Sequence, residues 1–458
     1  MTTQLDGGHH WRLGALSLAM LLPSLGTSIA NVALPTLAAS FTASFQDVQW
    51  VVIAYLLAVT TLIVGAGRLG DVIGHRRWLL TGIGMFALAS ASCAIAPSLW
   101  VLLAARGVQG AGAAIMMALA VASVGDMVPK DRTGSAMGLL GTVSAVGTAL
   151  GPSLGGALIS WFGWPAVFAF MAVAAAVAFL FGHRMFPADV PTERKPFSFD
   201  IAGMLLLALS LGAYALSTTL GGAAPGPFNA ILAGLSAIGL VAFVAVERRA
   251  ASPLIQMELL RDGGLSAGLI SMGLVSAIMM ATLVVGPFYL SQVLRLSAMG
   301  TGLVMSMGPG VAALVGVPAG GLVDRLGSST VMIAGLAGVL IGSVLMTVLP
   351  DWFGVGGYVG GLALVTAGYA LFQAANNTAV MSGATKDRRG VTSALLGLSR
   401  NLGLVTGASA MGALFAFGSR GVEILGLGTG GATGMKITFA VAAGLAVIAL
   451  VVAVRGRS

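Results

Sequence analysis

The chain is 458 residues long, 57% hydrophobic and only 8% charged, with a formal net charge of +8. Soluble domains are about 25% charged, so this composition excludes an ordinary soluble protein and calls for a bilayer as solvent. The lone cysteine, Cys93, excludes an intrachain disulfide and a cysteine-based metal site.

A helix that crosses a membrane needs about 20 predominantly apolar residues. Taken in chain order, fourteen segments qualify: 12–35, 47–66, 78–97, 98–123, 134–158, 164–182, 201–221, 228–246, 264–290, 298–321, 328–349, 356–380, 391–418 and 434–454. The first outruns the roughly 7–15-residue apolar core of a signal peptide, and is read as a retained span. The third and fourth are divided only by the stretch APSLW, 96–100.

The basic residues orient these spans. With the N-terminus in the cytoplasm, eighteen of the 23 Lys and Arg fall on cytoplasmic segments. Arg295, Arg420 and Lys436 fall outside, and Arg106 and Arg400 lie within spans. This is the positive-inside pattern, and deleting one span would scramble it. The +8 charge therefore reads as topology, with both termini cytoplasmic, rather than as nucleic-acid binding.

Between the second and third spans, GRLGDVIGHRRWLL (67–80) packs one Asp, three Arg and one His into a chain that has few charges. Its frame Gly67-x-x-x-Asp71-x-x-Gly74 recurs as Gly320-x-x-x-Asp324-x-x-Gly327, between the tenth and eleventh spans. Both copies join the second and third helices of a half if the chain is divided six, two, six. The domains expected are 1–183, a six-helix bundle; 184–263, a linker with two accessory spans; and 264–458, a second six-helix bundle. Such repeats mark secondary transporters. Gly67 and Gly74 are expected to shape a tight cytoplasmic turn, and Arg76 to hold it inside. Asp71 is expected to face a neighbouring helix N-terminus, where the dipole favours an anion.

Within the spans, Arg106 lies about eight residues into the fourth, or about 12 Å deep at the helical rise, with Gln109 one turn on. Arg400 lies near the middle of the thirteenth. An ionisable residue at such depth is a functional candidate by default, and pairing with backbone carbonyls is the structural alternative. Gln373, Asn376 and Asn377 in span 12, with Asn31 and Gln49 near the outer ends of spans 1 and 2, could line a cavity or bond helices together. In span 5, Gly147, Gly151 and Gly155 share one helix face, Pro152 interrupts the hydrogen-bond ladder, and Gly156 follows. This is a hinge or a packing face, one that could meet the opposite half. Phe288, Met305 and Met307 read as packing.

These stretches resemble the major facilitator superfamily. GRLGDVIGHRR is similar to its loop between spans 2 and 3, RGVQGAGAA (106–114) to its span 4 arginine motif, and GTALGPSLGG (147–156) to the span 5 motif of its antiporters. NVALPTL (31–37), VERRAASPLIQMELLR (246–261) and TSALLGLSRNLGLVTGASA (392–410) resemble its fourteen-span drug:proton antiporter group. The resemblance implies an all-α membrane fold of two pseudo-symmetric bundles plus two extra spans. It implies a monomer in a bacterial cytoplasmic membrane that exports small organic molecules by alternating access, with a small-molecule substrate and the lipid bilayer as partners. Asp71 would latch the halves on the cytoplasmic side, with Asp324 as its weaker counterpart. No cofactor or metal is implied beyond a proton as coupling ion.

One departure bears on that proton. The group places an acidic residue in span 1 shortly before NVALP, where this chain has Gly26. None of the fifteen acidic residues falls well inside a span, which leaves Asp47 and Asp126 at span ends, or transport without proton coupling. Uptake of an anionic or neutral metabolite and lipid flipping also fit this fold. An enzyme does not, since no carboxylate or histidine lies in mid-span, and no GxxxxGK[ST] loop is present to power transport with ATP. With two arginines and no carboxylate inside the spans, anionic, zwitterionic or neutral substrates are expected over cations.

Overall fold

The computed structural model describes residues 5–127, 133–186, 200–220, 226–250, 261–383, 389–425 and 430–456, and contains no strand among them. With water absent from the bilayer core, each backbone must bond to itself, and the apolar runs become helices. Their order is α1 (Leu5–Ser40), α2 (Phe45–Ile73), α3 (His75–Ala94), α4 (Leu99–Met127), α5 (Thr133–Phe162), α6 (Pro165–Met185), α7 (Ile201–Thr219) and α8 (Pro227–Glu247). After these come α9 (Gly263–Phe288), α10 (Ala298–Leu326), α11 (Ser328–Gly383), α12 (Arg389–Thr406), α13 (Gly412–Leu425) and α14 (Gly430–Arg455). Gly354, at φ 54° and ψ −126°, breaks α11 into two arms. A five-residue π-turn, Gly407–Met411, joins α12 and α13 into one rod, and another, Tyr289–Val293, extends α9. Among the described residues twelve stretches are long and apolar enough to cross a membrane, with all of Ser328–Gly383 counted as one and α5 not among them.

Helix starts account for several of the chain's few acids. Asp47 and Ser44 form a reciprocal capping box on α2, Asp200 caps α7 through Gly203 N–H at 2.7 Å, and Asp262 caps α9. Each carboxylate meets orphan N–H groups and the positive end of the helix dipole.

The repeated polar knot has a structural counterpart. Helix α2 runs through Gly67 and Asp71, and α10 through Gly320 and Asp324. The expectation that Gly67 shapes the turn is therefore corrected: the turn falls at the second glycine of each copy. Gly74 (φ 103°, ψ 133°) and Gly327 (φ 81°, ψ 148°) adopt nearly the same backbone. That region is open only to glycine at low cost.

Packing follows one scheme twice. In the first half, α1 lies along α5, α4 lies between α2 and α3, and α3 packs on α6. In the second, α9 lies along α12, the second arm of α11 packs on both α10 and the first arm, and α11 packs on α14. Small residues allow the approach: a β-carbon at Gly82 or Gly112 would collide across α3–α4, and one at Gly342 or Gly368 would collide between the two arms of α11. Helices α7 and α8 pair with each other at the edge of the molecule. Trp50 Nε1–H of α2 donates to Thr219 Oγ1 at 3.0 Å, and Leu207, Leu211 and Phe243 pack on Leu398 of α12.

Candidate functional site

Arg106 is fully buried inside the first half. Its Nε–H donates to the Val51 carbonyl of α2 at 2.8 Å, one terminal nitrogen to the Gly26 carbonyl of α1 at 3.2 Å, and the other to Gln109 Oε1 at 2.5 Å. The guanidinium lies 4.2 Å from the centroid of the Tyr55 ring, and Tyr55 O–H donates to the Pro23 carbonyl. Gln109 Nε2 in turn donates to Ser90 Oγ of α3 at 2.6 Å. One cation thus ties together α1, α2, α3 and α4. The carbonyl-paired alternative describes Arg106 here. Gly26, which has no side chain, offers Arg106 its backbone carbonyl.

The other predicted residues separate into packed and open groups. Asn31 is buried, with Nδ2 on the Thr27 and Ser28 carbonyls of its own helix. Asn376 is buried against α9, its Nδ2 donating to the Gly268 carbonyl at 3.2 Å. Gln373 is half-buried and Asn377 exposed on another side of the same arm. Arg76 reaches across from α3 to the His183 carbonyl at 2.9 Å. Asp324 is exposed at the end of α10. The side chains of Asp71 and Asp126 lie outside the described residues. Phe288, Tyr289 and Met305 are buried core residues, while Met307 is exposed.

The seam between the halves closes at one end of the molecule. At the end carrying the 41–44 and 294–297 connections, Phe45 packs edge-on against Phe288, with ring centroids at 4.5 Å, and lies 5.1 Å from Phe415. Gln49 Nε2–H donates to the Ala408 carbonyl in the 407–411 π-turn at 2.9 Å, and its amide nestles against Gly412. Gly156 of α5 faces Ala298 and Gly302 of α10, and Gly302 faces the Pro152 carbonyl. This differs from the sequence expectation for span 5. The Gly147, Gly151, Gly155 face packs on Leu21, Ser28 and Ile29 of α1 within its own half, and Pro152 and Gly156 meet the other half. Toward the opposite end, where α1 begins and α14 ends, Val146, Leu150 and Leu314 are exposed, and no atom of the described residues lies within 4 Å of a β-carbon built at Gly310, Gly316 or Gly320. Sequence reading missed Tyr55, Ser90, Gly302 and Gly412, since a tyrosine, a serine or a glycine in an apolar run carries no signal until its neighbours are known.

Two helical repeats joined by a seam that is closed at one end, with polar groups engaged deep between apolar helices, define a multi-pass membrane transport protein. The chain belongs to the Major Facilitator Superfamily, whose family profile matches residues 16–408. It is 29% identical over 410 residues to the multidrug resistance protein Stp of Mycobacterium tuberculosis, covering 88% of this chain and 75% of that one. It is 29% identical over 402 residues to the riboflavin transporter RibZ of Clostridioides difficile, covering 88% and 87%. In fold it resembles a bacterial homologue of the human lysosomal transporter Spinster in an inward-facing, unoccupied conformation, with a TM-score of 0.73 at 14% identity over 98% of this chain and 97% of the other.

Proposed function

We propose that this protein is a secondary exporter of small organic molecules that works by alternating access, with fourteen spans and both termini in the cytoplasm. Residues 1–183 and 264–458 are the two moving bundles, and the α7–α8 pair within 184–263 is accessory. The seam carries this reading. Among the described residues its named contacts cluster at the outer end of the proposed topology, and Val146, Leu150 and Leu314 toward the other end are exposed, an arrangement that suits an inward-facing carrier awaiting cytoplasmic cargo. Relatives named for drug resistance support export, and a relative named for riboflavin supports a metabolite as an alternative cargo. The accessory place of α7 and α8 rests on their packing at the seam's edge, against α2 and α12. A proton remains the coupling ion to test. With Gly26 in span 1 and the Asp47 carboxylate held in a helix cap, a span 1 carrier has no residue here.

The decisive experiment is uptake of a drug panel and of riboflavin into inverted membrane vesicles, with and without a proton gradient. Accumulation that depends on the protein is expected. Its loss when the gradient collapses would add proton coupling, and no accumulation of any compound by folded protein would reject the transport reading. Asp71→Asn is expected to lower efflux per folded molecule several-fold while membrane insertion survives. Removing an anion from a helix end costs about 0.3–1 kcal/mol, or ~2 if partly buried, enough to shift a two-state carrier. Unchanged expression-corrected efflux would return Asp71 to an ordinary loop residue.

A further inference from the structure

Of the two arginines within the spans, only one has its donors engaged. Arg106 is bonded through all three nitrogens. Arg400, on α12 in the second half, is half-buried. Its Nε is sealed from solvent without an acceptor, and it makes no hydrogen bond or ion pair among the described residues. The rod that bears it is otherwise well packed. Ser399 and Gly403 abut α9, and Leu398 packs on α7. Arg400 lies within electrostatic range of Tyr369 on the second arm of α11.

Tyr369 begins an unusual strip. Tyr369, Gln373 and Asn377 recur every fourth residue and so share a helix face. Their accessibility rises along it, from half-buried to exposed. None of their side chains makes a hydrogen bond among the described residues. The neighbouring face of the same arm, with Phe372, Ala375, Asn376 and Val380, is buried, and Asn376 and Val380 meet Gly268 of α9. Arg400 thus carries an unpaired guanidinium, and α11, which packs on α12, carries a strip of three polar side chains unengaged among the described residues. An orphaned buried donor is costly, and a cation without a counter-charge in a low dielectric is more so.

We propose that Arg400 is the anion-binding residue of the transport site, and that it takes the carboxylate of an organic anion or zwitterion while Tyr369, Gln373 and Asn377 receive its polar body. The guanidinium fork matches a carboxylate's two coplanar oxygens, which a lysine ammonium does not. This rests on the transporter reading and assigns the positive field expected within the spans to the second half, leaving Arg106 as an internal tie.

The test uses the purified full chain and three matched probes: 2-naphthoate, 2-naphthamide and 2-naphthylmethylamine. Binding is read by thermal stabilisation, and uptake in inverted vesicles. Wild type should prefer naphthoate over the amide by about tenfold or more, the scale of a charge-assisted bond. Arg400→Gln should erase that preference without loss of the folded, monodisperse protein, because its side chain bonds to nothing it would orphan. Arg400→Lys should keep part of it. Absence of carboxylate preference in wild type, or its persistence in Arg400→Gln, overturns the proposal. Naphthoate binding that survives where no probe or drug is transported would refute the transport reading and leave the anion site standing. Transport of the amine with no dependence on Arg400 would do the reverse.

Discussion

Arg106→Ala is expected to cut the yield of folded protein and lower its melting temperature, and to leave the substrate-charge ranking of whatever folds unchanged. The side chain is fully buried, and its removal orphans Gln109 Oε1 while withdrawing bonds from the Val51 and Gly26 carbonyls. A buried acceptor left without a partner costs about 1–3 kcal/mol, and truncation of a large buried side chain adds a cavity term, about 2–5 kcal/mol for Leu, Ile or Met to Ala. The cation–π contact with Tyr55 is lost as well. Against these stands the relief of a desolvated cation, which has no carboxylate beside it. The losses win because four helices depend on one set of bonds that radiate in different directions. Arg106→Lys keeps the charge yet cannot reach three acceptors at once, so it should rescue little. Thermal unfolding in detergent, followed by a probe-charge panel on the surviving fraction, decides the matter. If Arg106→Ala folds normally and reverses the charge ranking, Arg106 is a substrate residue after all.

How much of this was legible in the sequence depends on what kind of physics set each feature. Helix positions were legible because burial in lipid is a one-dimensional requirement: the expected break at APSLW falls between Ala94 and Leu99, and the expected pair 328–349 and 356–380 corresponds to the two arms of α11 about Gly354. The repeat was legible through Asp71 and Asp324. Its structural basis was half legible, because only Gly74 and Gly327 need a conformation closed to other residues. Partners across helices were not legible. Gly147, Gly151 and Gly155 announce a close approach but not to which helix, and the answer is α1. The two arginines look alike in sequence. One meets acceptors from two other helices and from its own and the other does not, a distinction made for Arg106 largely by residues 50 to 80 positions away.

The largest effect on the transport cycle is expected from Gly302→Val. A β-carbon at Gly302 would run into the Pro152 carbonyl and lie 3.0 Å from the Gly156 Cα. Both are backbone atoms of a packed helix, so neither can yield as a side chain could. The added bulk is accommodated only if α5 and α10 separate at that end. Gly412→Ala makes a useful contrast. Its β-carbon meets the Gln49 amide, the tip of a flexible side chain, so it should dislodge one hydrogen bond to Ala408 and weaken the seam far less. Folding of each half should survive Gly302→Val, because α10 packs on α11 through other residues such as Met305 and Gly308. The closed seam at that end should not survive. A penalty of a few kcal/mol on one of two states removes most of its population, and a carrier denied one state does not turn over. Spin labels at the half-buried Ser153 and the exposed Leu303, which flank the contact, should report a short distance in wild type and a longer one in Gly302→Val, with Gly412→Ala close to wild type. Transport should fall in the same order. Unchanged distances together with unchanged transport in Gly302→Val would mean that the α5–α10 contact is a fixed joint and that the halves move about some other seam.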